Sequence, residues 1–380
     1  MPAPTTIRKL TVVPLDIPLH KPFGIAGGAH PIAANALVRA LLEDGTVGYG
    51  EAAPLPVFNG ETQAQTIAAV SAARAAVEGA DARRFRPIAE AVRRLAGGSG
   101  AAQCAIETAI LDALCRHAGL PLWAFLGGAE QALVTDVTIP IGSMALARSE
   151  AEAWHAKGFS RLKVKIGEGK VDEDLERVTA AHEAAPSAEL ILDGNGGLTA
   201  ESTLDLVVAL RARGIVPILL EQPVAGDDLR GLGDVTRRAG IKVAADESVT
   251  SARAAHRIAV EGLAHVVNIK LMKCGIVEAL DIASVVKAAG LELMIGAMVE
   301  ARLAISASAC FAAGLGGFSF IDLDTPLFLA EDPFEGGYRE EGETLDLSRI
   351  TLGHGVTPRS GQESAENLTQ RRKSAKKKGQ

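Results

Sequence analysis

The most constraining feature of this 380-residue chain is a pattern that repeats along its second half. From about Thr135 onward, a short apolar run ends in mostly polar residues and is followed by a helix-like segment. The run ends read Leu162-Lys163-Val164-Lys165, Leu190-Ile191-Leu192-Asp193, Ile218-Leu219-Leu220-Glu221 and Val243-Ala244-Ala245-Asp246. Next come Val267-Asn268-Ile269-Lys270, Leu293-Met294-Ile295-Gly296 and Phe320-Ile321-Asp322-Leu323-Asp324. Measured at Lys165, Asp193, Glu221, Asp246, Lys270, Gly296 and Asp322, the intervals are 28, 28, 25, 24, 26 and 26 residues. One strand, one helix and two loops need this length. With 134–139 as a first strand, eight strands alternate with helices, and that alternation dictates parallel pairing. Right-handed crossovers close eight such strands into a barrel. The rival, an open doubly wound sheet, normally carries a glycine-rich phosphate loop after its first strand, and no strand-to-helix turn here reads GxGxxG.

Residues 1–130 follow a different pattern. Strand-like runs at 8–18 and 36–42, the second followed by the Glu43-Asp44-Gly45 turn, predict an antiparallel sheet. Alanine-rich amphipathic stretches at 61–79 and 100–117 predict helices. This reads as an α+β domain beside a barrel domain at 131–324. Apolar residues make up 48% of the chain but aromatics only 4%, so the core is built from Ala, Val, Leu and Ile, which suits buried parallel strands under helices.

Composition also excludes several function classes. The net charge of −7 leaves no electrostatic footprint for nucleic acid outside the extreme C-terminus. There, Arg371, Arg372, Lys373, Lys376, Lys377 and Lys378 follow a polar stretch with almost nothing apolar to dock, so 361–380 reads as a solvated basic tail. Cys104, Cys115, Cys274 and Cys310 show no CxxC spacing and read as small reduced core residues. No charged-then-apolar leader and no uninterrupted run of about 18 apolar residues occurs, so a cytoplasmic protein without a membrane partner is expected.

In a barrel, side chains at the C-terminal ends of the strands converge on one mouth. A single Asp or Lys at such an end is often merely solvated, but here six of the seven markers are charged. Asp193, Glu221 and Asp246 lie on consecutive strands and would repel one another unless a cation sat between them. Three oxygen ligands with room for water or substrate suit Mg²⁺. Zinc is disfavoured because no His or Cys occupies a neighbouring strand end. Asn195, Gln222 and Glu247 follow these ligands and are candidates to support them, although loop polarity alone would explain each. Lys163 and Lys165 are two apart, so both point to the mouth. Lys270 stands on strand six, diametrically opposite strand two.

A substrate carboxylate on the metal would then have an amine on each face of its α-carbon. Removing the α-proton places two negative charges on an enediolate, which a divalent cation and Lys163 stabilise. The base must be a neutral amine, whereas an unperturbed Lys titrates near about 10.4. Neighbouring lysines, the metal and exclusion of water are expected to lower Lys165 and Lys270. With one lysine removing the proton and the other returning one from the opposite face, the α-carbon inverts.

These residues resemble the enolase superfamily and, within it, the muconate-lactonizing subgroup. The matching motifs are Lys163-Val-Lys165, Asp193-Gly-Asn195, Glu221-Gln-Pro223, Asp246-Glu-Ser248 and Asn268-Ile-Lys270-Leu-Met-Lys273. The resemblance implies a (β/α)7β TIM-like barrel with an α+β capping domain, the cap being completed by a C-terminal return at 325–360. It also implies Mg²⁺, one per subunit, and a Lys or His base. The branch with a histidine near strand seven is set aside, because that strand reads Met294-Ile295-Gly296-Ala297-Met298 and Lys270 is present.

Asp322-Leu-Asp324-Thr-Pro looks like the Asp-x-Asp motif with which dipeptide epimerases hold the substrate's terminal ammonium. Two carboxylates two residues apart face the same mouth and suit one cationic amine, although a cap or salt-bridge role for one of them would also fit. Thr138 resembles a substrate-contacting threonine of the same family. Members acting on Ala-Glu carry an arginine in the first capping loop. That position here is Gly28, and 21–30 holds no Arg, which argues against an acidic second residue. The usual Gly-Gly after the strand-six lysines is Gly275-Ile276 here. The implied activity is Mg-dependent 1,1-proton transfer at the α-carbon of the C-terminal residue of a dipeptide, in a homo-oligomer. Beside it stand the N-acylamino acid racemases, o-succinylbenzoate synthases and cycloisomerases of the subgroup, and a non-catalytic barrel that binds a carboxylate.

Overall fold

The computed structural model describes residues 2–25 and 28–359, with 21–25 and 28–30 described by backbone alone. The expectations resting on side chains of the loop at 21–30, Gly28 included, and on the basic segment at 361–380 lie outside the described residues.

Eight strands pair in parallel and in chain order: Val137–Ile139, Arg161–Lys165, Glu189–Asp193, Leu219–Glu221, Lys242–Ala245, Val266–Ile269, Glu292–Ile295 and Phe318–Ile321. They are barrel strands one to eight below. The first and last meet through the Asp136 N–H, which donates to Ile321 O at 2.9 Å, and through Thr135 Oγ1, which accepts from Leu323 N at 2.9 Å. The sheet closes there.

Because alternate side chains on a strand point to opposite faces, every second residue meets the barrel axis. Ile191, Leu219, Ala244, Val266, Met294 and Phe320 form an apolar cluster of their own, which plugs the interior. Two residues further along the same strands come Asp193, Glu221, Asp246, Asn268, Gly296 and Asp322. The seal at one end and the polar mouth at the other are therefore successive layers of one inward face. The outward residues between them, such as Leu192, Leu220, Ala245, Val267, Ile295 and Ile321, pack into the main core under the helices.

The first strand differs from the sequence expectation. Residues 134–139 do not form one strand. Ala132–Val134 pairs with Thr344–Asp346 in a separate three-stranded sheet, and only Val137–Ile139 joins the barrel. The chain changes partners between adjacent residues: Thr135 N donates to Glu343 O, and Asp136 N to Ile321 O.

The N-terminal region folds as the antiparallel sheet Ile7–Ile25, Gly28–Leu42 and Val47–Ala52, covered by helices Gln63–Val77, Phe85–Leu95 and Gly100–Ala118. The third strand, with two glycines in six residues, carries little strand signal in sequence. No helix among the described residues is long and apolar enough to cross a membrane, and all four cysteines are buried and unpaired.

Two glutamates from this region cap helices of the barrel. Glu51 Oε1 accepts from Ala301 N at 2.9 Å and Oε2 from Ala304 N at 3.1 Å. They supply the cap that the helix Arg302–Leu315, which begins after Ala301, lacks in its own sequence. Glu107 Oε2 accepts from Val277 N at 2.8 Å, just past the point where Leu271–Ala288 breaks at Gly275 with φ 80°. A Cβ at Gly275 would lie 2.7 Å from Glu107 Oε2, so this glycine serves both the left-handed turn and the approach of the cap. Burial pushes both carboxyl groups up to about 7, against the pull of the helix N–H groups they bind.

After strand eight the chain returns to the N-terminal sheet, Ala330 N donating to Pro18 O at 2.8 Å. Asp112 anchors the far end of that return. Its Oδ1 accepts from His354 N at 3.0 Å, while Oδ2 accepts from Tyr49 N at 3.1 Å and Arg116 Nε at 2.8 Å. Breaking a buried, hydrogen-bonded ion pair from one side costs about 3–5 kcal/mol. Asp112→Ala should therefore lower the unfolding free energy from urea titration by an amount in that range, and a loss under about 1 kcal/mol would show that the return is held elsewhere.

Candidate active site

Each candidate side chain reaches the mouth because its strand ends there with inward parity. Lys165, Asp193 and Glu221 pair directly across strands two, three and four, which brings their side chains to one level. Lys163 Nζ bonds Asp322 and lies 3.6 Å from Asp193 Oδ2 and 3.8 Å from Glu221 Oε2. Lys165 Nζ donates to Asp193 Oδ2 at 2.5 Å and Asn195 Oδ1 at 2.8 Å. On the opposite side, Lys270 Nζ is 2.8 Å from Asp246 Oδ2. Lys273 Nζ donates to Asp246 Oδ1 and to Asp246 O, both at 2.7 Å, and to Asn268 O at 2.9 Å. Asn268 Nδ2 donates to Glu221 Oε1.

The groups expected to support these carboxylates touch them or their loops. Asn195 N donates to Asp193 Oδ1 at 3.0 Å, and Asn195 Nδ2 to Glu247 Oε1 at 3.3 Å. Gln222 Oε1 accepts from Asp246 N at 2.8 Å, while its amide nitrogen donates to Val224 O and Ser248 Oγ. Asn195 and Gln222 are the only non-glycine residues with positive φ, 40° and 30°, among the described residues. Such conformations cost about 1–3 kcal/mol each and persist where the surroundings impose them. Here they turn the chain sharply just past two carboxylates. Thr138 holds Asp324 through its backbone, the Thr138 N–H donating to Asp324 Oδ2 at 2.6 Å.

Two findings differ from what the sequence led one to expect. Asp193, Glu221 and Asp246 are turned toward lysines and Asn268. The one trio of carboxyl groups with oxygens all within 4.8 Å of one another, among the described residues, is Asp136, Asp322 and Asp324. Lys270 also runs opposite to the expected direction, and Lys163 moves the same way. Burial alone would lower Lys270 and Lys163, yet Asp246 and Glu221 hold the first above its ordinary range, and Asp322 and Glu221 the second. With carboxylates this close, attraction outweighs desolvation.

The carboxylates fit a divalent cation. Burial pushes Glu221 up to about 8, with Asp193 and Asp246 adding to the rise, and Glu221 Oε2 has no hydrogen-bond partner although it is buried. Glu247 Oε2 is equally orphaned, and burial with the charge of Asp246 pushes this group up to about 7. Crowded carboxylate oxygens with spare lone pairs, and no His or Cys among the described residues around them, are the donor set that suits Mg²⁺.

Above this floor lies a cavity of about 560 Å³. Lys163, Lys165, Lys270, Asn195, Glu247, Thr138, Asp322 and Asp324 line its polar side. Leu55, Val57, Phe58, Ala297, Met298 and Val299 line an apolar side, and Lys270 Nζ stands 5.9 Å from the Phe58 ring centroid. Sequence reading missed Asp136 and the grip of Lys273 on Asp246. Asp136 had a signal, since it lies two residues before Thr138 and so shares its inward parity.

A charged barrel mouth under an α+β cap is the enolase-type architecture, and comparison with known proteins agrees. Residues 7–127 match the mandelate racemase / muconate lactonizing enzyme N-terminal domain, and 145–362 match the enolase C-terminal domain-like family. The chain belongs to the mandelate racemase / muconate lactonizing enzyme family. It is 48% identical over 353 residues to an aromatic dipeptide epimerase of Herpetosiphon aurantiacus, covering 93% of this chain and 99% of that one. A mandelate racemase/muconate lactonizing enzyme structure from Roseiflexus sp. is 58% identical, with a TM-score of 0.90 over 95% of this chain and 100% of that chain. The dipeptide epimerase of Enterococcus faecalis V583, solved with Mg and L-Leu-L-Tyr, is 34% identical, with a TM-score of 0.89 over 93% and 99% of the two chains.

Gly296, where strand seven carries no side chain, leaves room for Lys270. A Cβ there would lie 2.8 Å from the Asn268 side chain and 3.1 Å from Lys270 Cε. In a crystal structure of Gly296→Ala, Lys270 Nζ should be displaced from its 2.8 Å contact with Asp246, whereas an unmoved lysine would mean that the floor yields instead.

Proposed function

We propose that this enzyme is a dipeptide epimerase, an isomerase that inverts the α-carbon of the second residue of a dipeptide by two-sided proton transfer. The observation that carries the reading is the placement of Lys165 and Lys270 on opposite sides of one cavity that also holds the Asp322–Asp324 pair. A planar carbon between two amines can lose a proton to one and regain it from the other with inversion. Lys163, buried between Asp193, Glu221 and Asp322, faces the side where the substrate carboxylate gathers charge. Asp193, Glu221 and Asp246 would hold one Mg²⁺ per subunit, which supplies charge stabilisation for that carboxylate. The Mg-containing relative supports this assignment, as do the orphaned oxygens on Glu221 and Glu247. Asp322 and Asp324 receive the dipeptide's terminal ammonium by charge-assisted hydrogen bonds.

The second residue's side chain is apolar in this reading. Leu55, Val57, Phe58 and Met298 form the apolar wall of the cavity, and no Arg or His lines the cavity among the described residues. An acidic side chain would be desolvated there without a dedicated partner. The aromatic dipeptide epimerase at 48% identity points the same way. A cytoplasmic location accords with four unpaired buried thiols.

Incubating the enzyme with a dipeptide library, Mg²⁺ and D₂O tests the assignment by mass spectrometry. Deuterium should enter the α-position of the second residue, fastest where that residue is apolar or aromatic. Exchange confined to N-acylamino acids would overturn it. Lys165→Ala and Lys270→Ala should each abolish epimerisation and leave exchange in at most one stereoisomer, and retained epimerisation in either would exclude the two-base scheme. Removing divalent metal with a chelator should stop exchange, and Mg²⁺ should restore it. Phe58→Ala should raise KM for an aromatic second residue about tenfold while changing that for alanine far less, as expected when most of a ring's burial is lost.

A further inference from the structure

Asp136 is wholly buried at the seam between strands one and eight, and neither of its carboxyl oxygens has a hydrogen-bond partner. Asp324 Oδ1, close by, is orphaned as well. Buried polar atoms are nearly always paired, so two adjacent groups left open mark a place for something absent from the folded chain. The charges facing Asp136 are Asp322 and Asp324 from strand eight, Lys163 from strand two and Glu221 from strand four. Lys163 is the one cation among them, and it is already bonded to Asp322.

The spacing of the trio leaves room for a primary ammonium. Oxygens of Asp136, Asp322 and Asp324 lie within 4.8 Å of one another. A triangle of that side or less has its centre no more than about 2.8 Å from each corner, within the N···O reach of a charge-assisted hydrogen bond. A primary ammonium carries three N–H donors, one for each carboxyl group. We propose that Asp136 is the third member of an ammonium cradle, completing with Asp322 and Asp324 a three-oxygen seat selective for a primary amine. This rests on the assignment of a dipeptide substrate. It adds that the N-terminal nitrogen must carry three hydrogens to fill the seat. A secondary N-methyl amine, with two, leaves one buried carboxyl unmet. The raised proton affinity of Asp136, caused by burial and then by Asp322, reflects the same demand for positive charge.

The test compares wild type, Asp136→Asn and Asp136→Ala on one epimerised dipeptide and its N-methyl counterpart. In wild type, KM should be at least tenfold higher for the N-methyl substrate. Both variants should raise KM for the primary amine about tenfold or more, with kcat changed much less, and should nearly erase the difference between the two substrates. Melting temperature should stay level or rise, because a buried carboxyl without a partner opposes folding. The Mg²⁺ concentration giving half-maximal activity should not move. Unchanged KM in both variants, or a lower melting temperature with discrimination intact, would overturn the proposal. So would a weakened Mg²⁺ requirement with KM unaffected, which would make the trio a metal site. Wild-type turnover of N-acyl substrates as fast as of free dipeptides would instead sink the dipeptide assignment itself, whatever Asp136 does.

Discussion

Inside the barrel, six buried carboxyl groups face four ammonium groups. Asp136, Asp193, Glu221, Asp246, Asp322 and Asp324 are set against Lys163, Lys165, Lys270 and Lys273. Charges removed from water are tolerated only when matched, so this imbalance governs how every side chain in the mouth is arranged. The lysines are shared among several acids, Asn268 and the Thr138 amide are drawn in as donors, and some oxygens still find nothing. The chain by itself is short of positive charge, and a divalent cation and an amine would both supply it.

That arrangement is possible because the strands are rigid and alternate strictly. The same face that packs Ile191, Leu219 and Phe320 into a dry plug delivers Asp193, Glu221 and Asp322 two residues later. Apolar packing below thus sets the height and direction of the charges above, and a slip of one residue in any strand would send a charged group into the helix layer. The strained turns at Asn195 and Gln222 are maintained by this frame.

Much of this was legible in the sequence, because a strand–helix repeat of 24 to 28 residues and charged strand ends are local signals. The barrel, its mouth and the residues gathered there follow from spacing and parity alone. What was hidden depends on contacts between distant segments. The run at 134–139 looks like one strand, and only the competing partners Glu343 and Ile321 divide it. Asp136 was concealed inside that run. The direction in which Lys270 is shifted depends on which of two opposing effects prevails, and that is decided by distances to Asp246 and Glu221 that no sequence states. Phe58 sits in a four-residue helix with no periodicity to read.

Glu51 and Glu107 reach from the N-terminal region to the starts of barrel helices that have no caps of their own. The wall that includes Leu55 and Phe58 belongs to the same region. The part of the molecule that lines the apolar side of the cavity is thus also the part that finishes two helices of the barrel. Neither half is a module in the sense of a freely exchangeable piece. A chimera that borrows a relative's N-terminal region to gain its substrate range must bring carboxylates at both of these positions, or it will trade specificity for a barrel with frayed helix starts. The cavity's apolar wall and the barrel's borrowed helix caps are written in the same stretch of chain.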